Sequence, residues 1–280
     1  MRLSAPRRAA VLGSPIAHSL SPTLYRAGFA AAGLDGWTFD ALECTAEALP
    51  GLVSSTGPDW AGFAVTMPGK QAAAAFAHRR SDRVDLLGVA NTLIRREDGW
   101  IAENTDVDGV LGALGAIGLT TGGGVGGVPA LILGGGGTAR AAVGALAEMS
   151  WDGPIFVAGR RPASTAPARE IADRLGLRSA HVDLAADALA DVAASAGLVI
   201  STLPAGVADS YAILLAGVPA ALDVLYHPWP TALAAARPAG SATASGRDML
   251  LHQAFRQFEL ITGVPAPRGA LRAALHDAPR

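Results

Sequence analysis

Cysteine is almost absent. Cys44 is the only one in 280 residues, so no disulfide can form within the chain and a reducing compartment, the cytoplasm, is the expected home. Aromatic residues make up only 5%. Half the residues are hydrophobic and many of those are alanine, a composition that suits helices packed on a sheet better than an all-β sandwich. Excess charge of either sign is lacking too. A formal net charge of −2 leaves no electrostatic footprint for nucleic acid or an anionic membrane surface. Long apolar runs are missing as well. The basic start is followed only by Ala9–Leu12, too short for a signal-peptide core, and nothing reaches the roughly 18 residues of a membrane span. His18, His78, His181, His227, His252 and His276 show no metal-ligand spacing, and no metal is expected.

What is present is an alternation of short apolar runs and helical stretches. Strands are expected at Ala9–Leu12, Trp37–Leu42, Gly62–Thr66, Thr92–Arg95, Ala130–Leu133, Ile155–Ala158, His181–Leu184, Leu198–Thr202 and Ala221–Leu225. Helices are expected at Pro22–Ala32, Gly69–Ala77, Val107–Ile117, Ala139–Met149, Ala166–Leu175 and Ala188–Ser195. Strands separated by helices imply an α/β fold with right-handed crossovers and mostly parallel sheets. Two last helices, Met249–Thr262 and Pro267–Ala274, have no strand after them and must pack on something already built. Thr120–Pro129 is glycine-rich and reads as a loop at the edge of a second domain.

The stretch ALIL-GGGGTARAAVGALAEM places Gly134, Gly136 and Ala139 in a G-x-G-x-x-A pattern between a strand and a helix. Two glycines let the backbone turn sharply and approach a pyrophosphate, while the helix N-terminus offers free N–H groups to the anion. A plain structural turn is the alternative. The end of the next strand discriminates between nucleotides. An NAD site usually has a carboxylate there for the ribose 2′-hydroxyl; this chain has Gly159-Arg160-Arg161-Pro162. Two guanidiniums suit a 2′-phosphate, which favours NADP, although a solvated arginine pair would look the same.

In the first third, Gly13–Pro22 (GSPIAHSLSP) follows a strand and opens a helix. Ser21 would serve as N-cap with Pro22 at the first helical position, the reading the motif alone favours; a carboxylate held by Ser19 and Ser21 beside a helix N-terminus is the alternative. Lys70 ends GFAVTMPGK, in a chain whose cations are overwhelmingly arginine. Lysine can exchange a proton near neutral pH and arginine cannot; a solvated lysine at a helix start is the other reading. Asn91 in GVANTL can both donate and accept hydrogen bonds, as a polyhydroxylated ring requires. Asp106 in ENTDVDG either caps a helix or faces a substrate.

Taken in order, GSPIAHSLSP, GFAVTMPGK, GVANTL, ENTDVDG, GGGGTAR, DVLYHPWPTAL and SGRDMLLHQAFRQFELITG resemble the shikimate dehydrogenase family from about Val11 to Gly263. The resemblance implies reversible NADPH-dependent reduction of 3-dehydroshikimate to shikimate, within chorismate and aromatic amino acid biosynthesis. It implies Lys70 and Asp106 as the catalytic pair and Ser19 and Ser21 as carboxylate-binding hydroxyls. Thr66, Lys70, Asn91, Asp106, Tyr226 and Gln253 would hold the ring. Gly134, Gly135, Gly136, Gly137, Thr138, Arg160 and Arg161 would contact the NADP phosphates, and Val224, Gly246 and Met249 would line the nicotinamide pocket. Departures are Ala64 and Gly159 where asparagine is usual, Ala102 where glycine is usual, and Ser201-Thr202-Leu203-Pro204 in place of Asn-Ala-Thr-Ser.

The expected architecture is an N-terminal catalytic α/β domain, residues 1–106 with 247–280, plus a Rossmann-like NADP-binding domain, residues 107–246, with an interdomain cleft. The expected partner is a small-molecule substrate, without nucleic acid or membrane, in a monomer or homodimer. Rival readings are a quinate or aminoshikimate dehydrogenase on the same scaffold, and a non-catalytic NADP-binding sensor.

Overall fold

A computed structural model describes residues 7–120 and 127–279. The chain divides into two compact units, one running up to Thr105 and resuming at Gln253–Pro279, the other Asp106–His252. The division falls inside the long helix near the C-terminus rather than before it.

The first unit carries β1 (Arg8–Gly13), α1 (Ser21–Ala31), β2 (Thr38–Glu43), α2 (Leu49–Ser54), β3 (Trp60–Val65), α3 (Lys70–Phe76), β4 (Arg79–Arg80), α4 (Asp82–Leu87), β5 (Thr92–Arg96) and β6 (Gly99–Glu103). Its sheet has the order β2-β1-β3-β5-β6-β4. β1 runs parallel to β2 and β3, but β5 is antiparallel to both β3 and β6. Pairing is mostly parallel, as expected, with β5 the exception: β5 and β6 are joined by a turn too short for a crossover helix, which forces a hairpin. Every residue of β3 is buried, as a strand covered on both faces requires. Against this sheet α1 buries Leu24, Tyr25, Gly28 and Phe29. Tyr25 stacks on Phe39 at 3.9 Å between ring centroids and meets Phe258 at 5.7 Å.

The second unit carries α5 (Asp106–Ala116), β7 (Ala130–Leu133), α6 (Gly137–Glu148), β8 (Ile155–Gly159), α7 (Pro162–Arg174), β9 (Ser179–Asp183), α8 (Ala186–Ser195), β10 (Leu198–Ser201), α9 (Ala212–Leu215), β11 (Ala220–Asp223), α10 (Ala232–Ala236) and β12 (Ala242–Ser245). Its sheet, β12-β11-β10-β7-β8-β9, is parallel throughout. Counted from its own first strand the order is the doubly wound nucleotide-binding arrangement, 3-2-1-4-5-6 when read from the opposite edge, which reverses between β7 and β10. α11 (Gly246–Thr262) and α12 (Arg268–Asp277) close the chain. They pack on α1: a side chain at Gly28 would meet the Phe258 ring at 2.7 Å and Leu271 at 3.0 Å.

Several boundaries differ from the sequence reading. α7 begins at Pro162 instead of Ala166 because that proline occupies its first turn, and Pro167 is carried inside the helix. Gly99–Glu103, Arg79–Arg80 and Ala242–Ser245 are strands that no long apolar run announced. Most of the glycine-rich stretch Thr120–Pro129, residues 121–126, lies outside the described residues. No helix among the described residues is long and apolar enough to cross a membrane.

Candidate functional site

In the first unit the C-terminal ends of β1 and β3 and the start of β5 bring three segments together. Thr66 N–H donates to Leu12 O at 2.8 Å, Ser14 N–H to Met67 O at 3.0 Å, and Val65 N–H to Asn91 O at 2.7 Å. Gly13 must be glycine, because a Cβ there would collide with the Thr66 methyl. Lys70, the only lysine of the chain, is the half-buried first residue of α3. Its carbonyl accepts from Ala90 N–H at 2.9 Å, which ties it to the residue before Asn91.

Asn91 is 3% exposed and fully engaged. Its Nδ2 donates to Thr105 Oγ1 at 2.9 Å and reaches Gln253 Oε1 at 3.4 Å, while its Oδ1 accepts from Thr105 N–H at 2.8 Å. Gln257, one turn further along α11, donates to Asn91 O at 3.0 Å and to Thr92 Oγ1 at 2.8 Å. It accepts from the Tyr25 hydroxyl at 3.0 Å. Burial pushes the Tyr25 pKa well above its ordinary value, so the phenol stays a donor. The sequence-predicted Asn91 and Gln253 are thus held by Thr105, Gln257 and Tyr25, none of which the motif reading named. The spacing of Gln253 and Gln257, four residues apart on one helical face, was the available signal.

Ser19 and Ser21 are neighbours, with Ser21 N–H donating to Ser19 Oγ at 3.3 Å. The capping expectation is corrected. Leu20 is the N-cap and offers no side-chain cap, Ser21 is already helical, and Pro22 sits at the second position. Ser21, only 7% exposed, is therefore not needed to terminate α1. The approach to α1 is held by Glu43, also missed, whose carboxylate accepts from Ser14 Oγ at 2.5 Å and Ile16 N–H at 3.1 Å.

In the second unit Asp106 is the first residue of α5 rather than the one before it, and is 5% exposed. At the crossover point between β7 and β10, Gly134 has φ +101°, and a Cβ there would lie 2.6 Å from Thr202 Oγ1. That hydroxyl donates to Leu133 O at 2.7 Å. A Cβ on Gly135 would collide with Ser164 O, so the loop and the start of α7 approach as closely as two backbones can. Gly136 differs. It is the N-cap of α6, and a Cβ there would meet nothing within 4 Å. Space is therefore open beside Gly136 at the N-terminus of α6, the end of a helix at which a pyrophosphate can be held.

Arg160 and Arg161 follow β8 and are exposed. No carboxylate lies between β8 and α7 in the chain; Asp183, at the end of β9, is the register partner of Gly159. A Cβ at Gly159 would meet the Thr165 methyl at 2.6 Å and Ser164 Oγ at 2.9 Å, so the strand end packs closely on the start of α7. At the ends of β11 and β12, Gly246 N–H donates to Leu225 O at 3.0 Å. A side chain at Gly246 would strike Val224 O. Val224 and Gly246 are thereby brought together, with Met249 buried one turn along α11. Tyr226 is half-buried on the loop after β11. That loop is pinned by Asp223, which accepts from Leu225 N–H at 3.2 Å and Thr231 Oγ1 at 2.8 Å. Burial raises the Asp223 pKa, partly offset by those two bonds.

Residues 11–93 match the model for the shikimate dehydrogenase substrate binding domain, and residues 246–276 that for the shikimate 5′-dehydrogenase C-terminal domain. The shikimate dehydrogenase (NADP(+)) of a Thermus thermophilus strain is 34% identical over 95% of this chain and 97% of its own length. That of Caulobacter vibrioides is 38% identical over 92% and 90%. Among solved structures, Mycobacterium tuberculosis shikimate dehydrogenase superposes with TM-score 0.89 at 48% identity, covering 98% of this chain and all of the other. The Thermus thermophilus enzyme in complex with NADP(H) and shikimate gives TM-score 0.80 at 31% identity, covering 96% and 98%. The chain belongs to the shikimate dehydrogenase family.

Proposed function

We propose that this chain is an NADP-dependent shikimate dehydrogenase that interconverts 3-dehydroshikimate and shikimate. The observation that carries the reading is the buried hydrogen-bond cluster Asn91–Thr105–Gln253, which aligns amide groups beside Thr66 and Lys70 as a polyhydroxylated ring requires. The relatives named above are NADP(+) enzymes, and the residues here fit that nucleotide: an open glycine at the α6 N-cap and two arginines, with no carboxylate, after β8.

When bound, NADPH supplies the hydride and NADP+ accepts it. The chain's own residues do the rest. Ser19 and Ser21 hold the substrate carboxylate by donating from their hydroxyls. Asn91 and Gln253 fix ring hydroxyls with Thr66 and Tyr226, so that the substrate presents one orientation. Lys70 donates a proton to the ketone oxygen as the hydride reaches its carbon, and takes it back from the hydroxyl in the reverse direction. Asp106 accepts a hydrogen bond from that hydroxyl region and orients the exchange. The N-terminus of α6 cradles the pyrophosphate, Arg160 and Arg161 clamp the 2′-phosphate, and Val224, Gly246 and Met249 wall the nicotinamide ring. The single buried cysteine, Cys44, fits a reducing cytoplasm.

The test is an initial-rate assay of purified protein with shikimate, following NADPH formation by absorbance. Shikimate-dependent reduction of NADP+ is expected. No turnover with shikimate, or turnover only with quinate, rejects the assignment.

A further inference from the structure

A cavity lies in the first unit, away from the residues assigned above. Its volume is about 830 Å³, and its walls include Arg7, Arg95, Arg96, His78, Glu97 and Trp100. Strand direction fixes its position. β1 starts at Arg8 and β3 at Trp60, while β5, antiparallel to β3, ends at Arg95 and Arg96. The cavity therefore opens at the end of the sheet where β1 and β3 begin. Thr66, Lys70 and Asn91 occupy the other end, a strand length of roughly 17–20 Å away.

Three guanidiniums converge there against one lining carboxylate, Glu97. Arg7 Nη2 donates to Trp60 O at 3.0 Å and lies near Pro58 O at 3.5 Å. Arg96 donates to Arg95 O at 2.9 Å and Leu260 O at 3.3 Å. The Arg95 guanidinium lies over the Trp100 ring, 5.0 Å from its centroid. Carbonyls and an aromatic face thus fix all three groups in place. Among the described residues none of the three is within ion-pair distance of a carboxylate, unlike Arg79 with Asp98 or Arg80 with Asp85 nearby. The Arg7 pKa is lowered first by burial and then by the fields of Arg96 and Arg95, and Asp59 offsets this only in part. Like charges brought together and oriented by neutral groups need an anion of matching multiplicity, and guanidinium forks match phosphate oxygens two at a time. The volume is in the range of nucleotide-sized ligands.

We propose that this cavity is a binding site for a compact polyphosphate anion, separate from the dehydrogenase centre. The proposal does not depend on which substrate the chain oxidises. Tripolyphosphate is the probe, titrated calorimetrically at low ionic strength into protein kept saturated with NADP+, so that the 2′-phosphate and pyrophosphate contacts are already occupied. One saturable site is expected, with a dissociation constant below about 1 mM. Arg95→Gln and Arg96→Gln should each weaken it about ten- to a hundredfold, the range for one charge-assisted contact. Arg96 is exposed, so its substitution leaves the fold intact, and an unchanged thermal midpoint checks this. Failure to saturate by about 10 mM, or equal affinity in both variants and the parent, overturns the proposal.

Discussion

Lys70 stands alone in this chain: of 22 lysine and arginine residues it is the only lysine. The other 21 are arginines, whose guanidinium keeps its proton. Lys70→Ala should lower kcat about 10²–10⁴-fold with a much smaller change in KM. Lys70→Arg should not restore the rate. Steady-state kinetics on both variants decides this, and an alanine variant that keeps most of its kcat removes Lys70 from the chemistry. Asp106 poses a sharper choice, since a carboxylate in the first turn of a helix is stabilising by itself, by about 0.3–1 kcal/mol. Asp106→Asn should keep a thermal midpoint within a few degrees of the parent yet lose about 10²-fold or more in kcat/KM. Equal modest losses in stability and rate would leave Asp106 a helix-end residue. For the cofactor, Arg160→Ala and Arg161→Ala should each cost about 1.5–3 kcal/mol, or one to two decades, in NADP affinity. NAD affinity should hardly move, and equal loss for both nucleotides in fluorescence titrations would make these arginines structural.

At the scale of elements, the glycine loop before α6 separates two uses of the same residue type. Gly135 is glycine because Ser164 O is in the way, whereas Gly136 borders open space with φ −75° and ψ −168°, which alanine tolerates. Gly135→Ala should therefore destabilise the fold by about 1–3 kcal/mol, as overpacking does, because the start of α7 must retreat. Gly136→Ala should leave the unfolding midpoint close to the parent but reduce NADP binding, its methyl group occupying the phosphate cradle. Denaturant melts with cofactor titrations on both variants test this, and the reverse ranking would refute the cradle. The four-glycine run was plain in the sequence, but which glycine serves packing and which serves the ligand was not. That distinction depends on Ser164, well downstream on another element. The same holds for the network around Asn91. The motif GVANTL was legible, while Thr105, Gln257 and Tyr25 became visible only when α1, β5 and α11 were seen to converge. Short elements escaped for a related reason: β4 and β12 draw their stability from pairing with neighbours rather than from local apolar periodicity.

For the whole molecule, the parallel second sheet followed from the sequence because most of its strands are nearly continuous apolar runs, as full burial demands. The mixed first sheet did not, since nothing in GWIAE tells an antiparallel hairpin strand from a loop. In the proposed site Ser19, Ser21, Asn91 and Gln253 belong to one compact unit, while Asp106 and Tyr226 belong to the unit that carries Gly136, Arg160 and Arg161. Groups that share no partner contribute additively to free energy, to within about 0.3–0.5 kcal/mol. Quinate differs from shikimate by a saturated ring carbon bearing an extra hydroxyl beside the carboxylate. That hydroxyl must be desolvated near Ser19 and Ser21, and a pocket without a dedicated partner rejects such an addition by about 10²-fold. We expect kcat/KM for shikimate to exceed that for quinate by roughly two decades. Because Ser19 and Ser21, assigned to the carboxylate end of the substrate, share no partner with Arg160 and Arg161, assigned to the 2′-phosphate, the same ratio should appear with NADP and with NAD, within about a factor of two. Initial rates for the four combinations measure both quantities. A ratio near one displaces Ser21 from its assigned role. A ratio that changes severalfold with the nucleotide would mean that the two ligands are sensed by shared residues, and that the division of labour drawn from the sequence motifs is wrong.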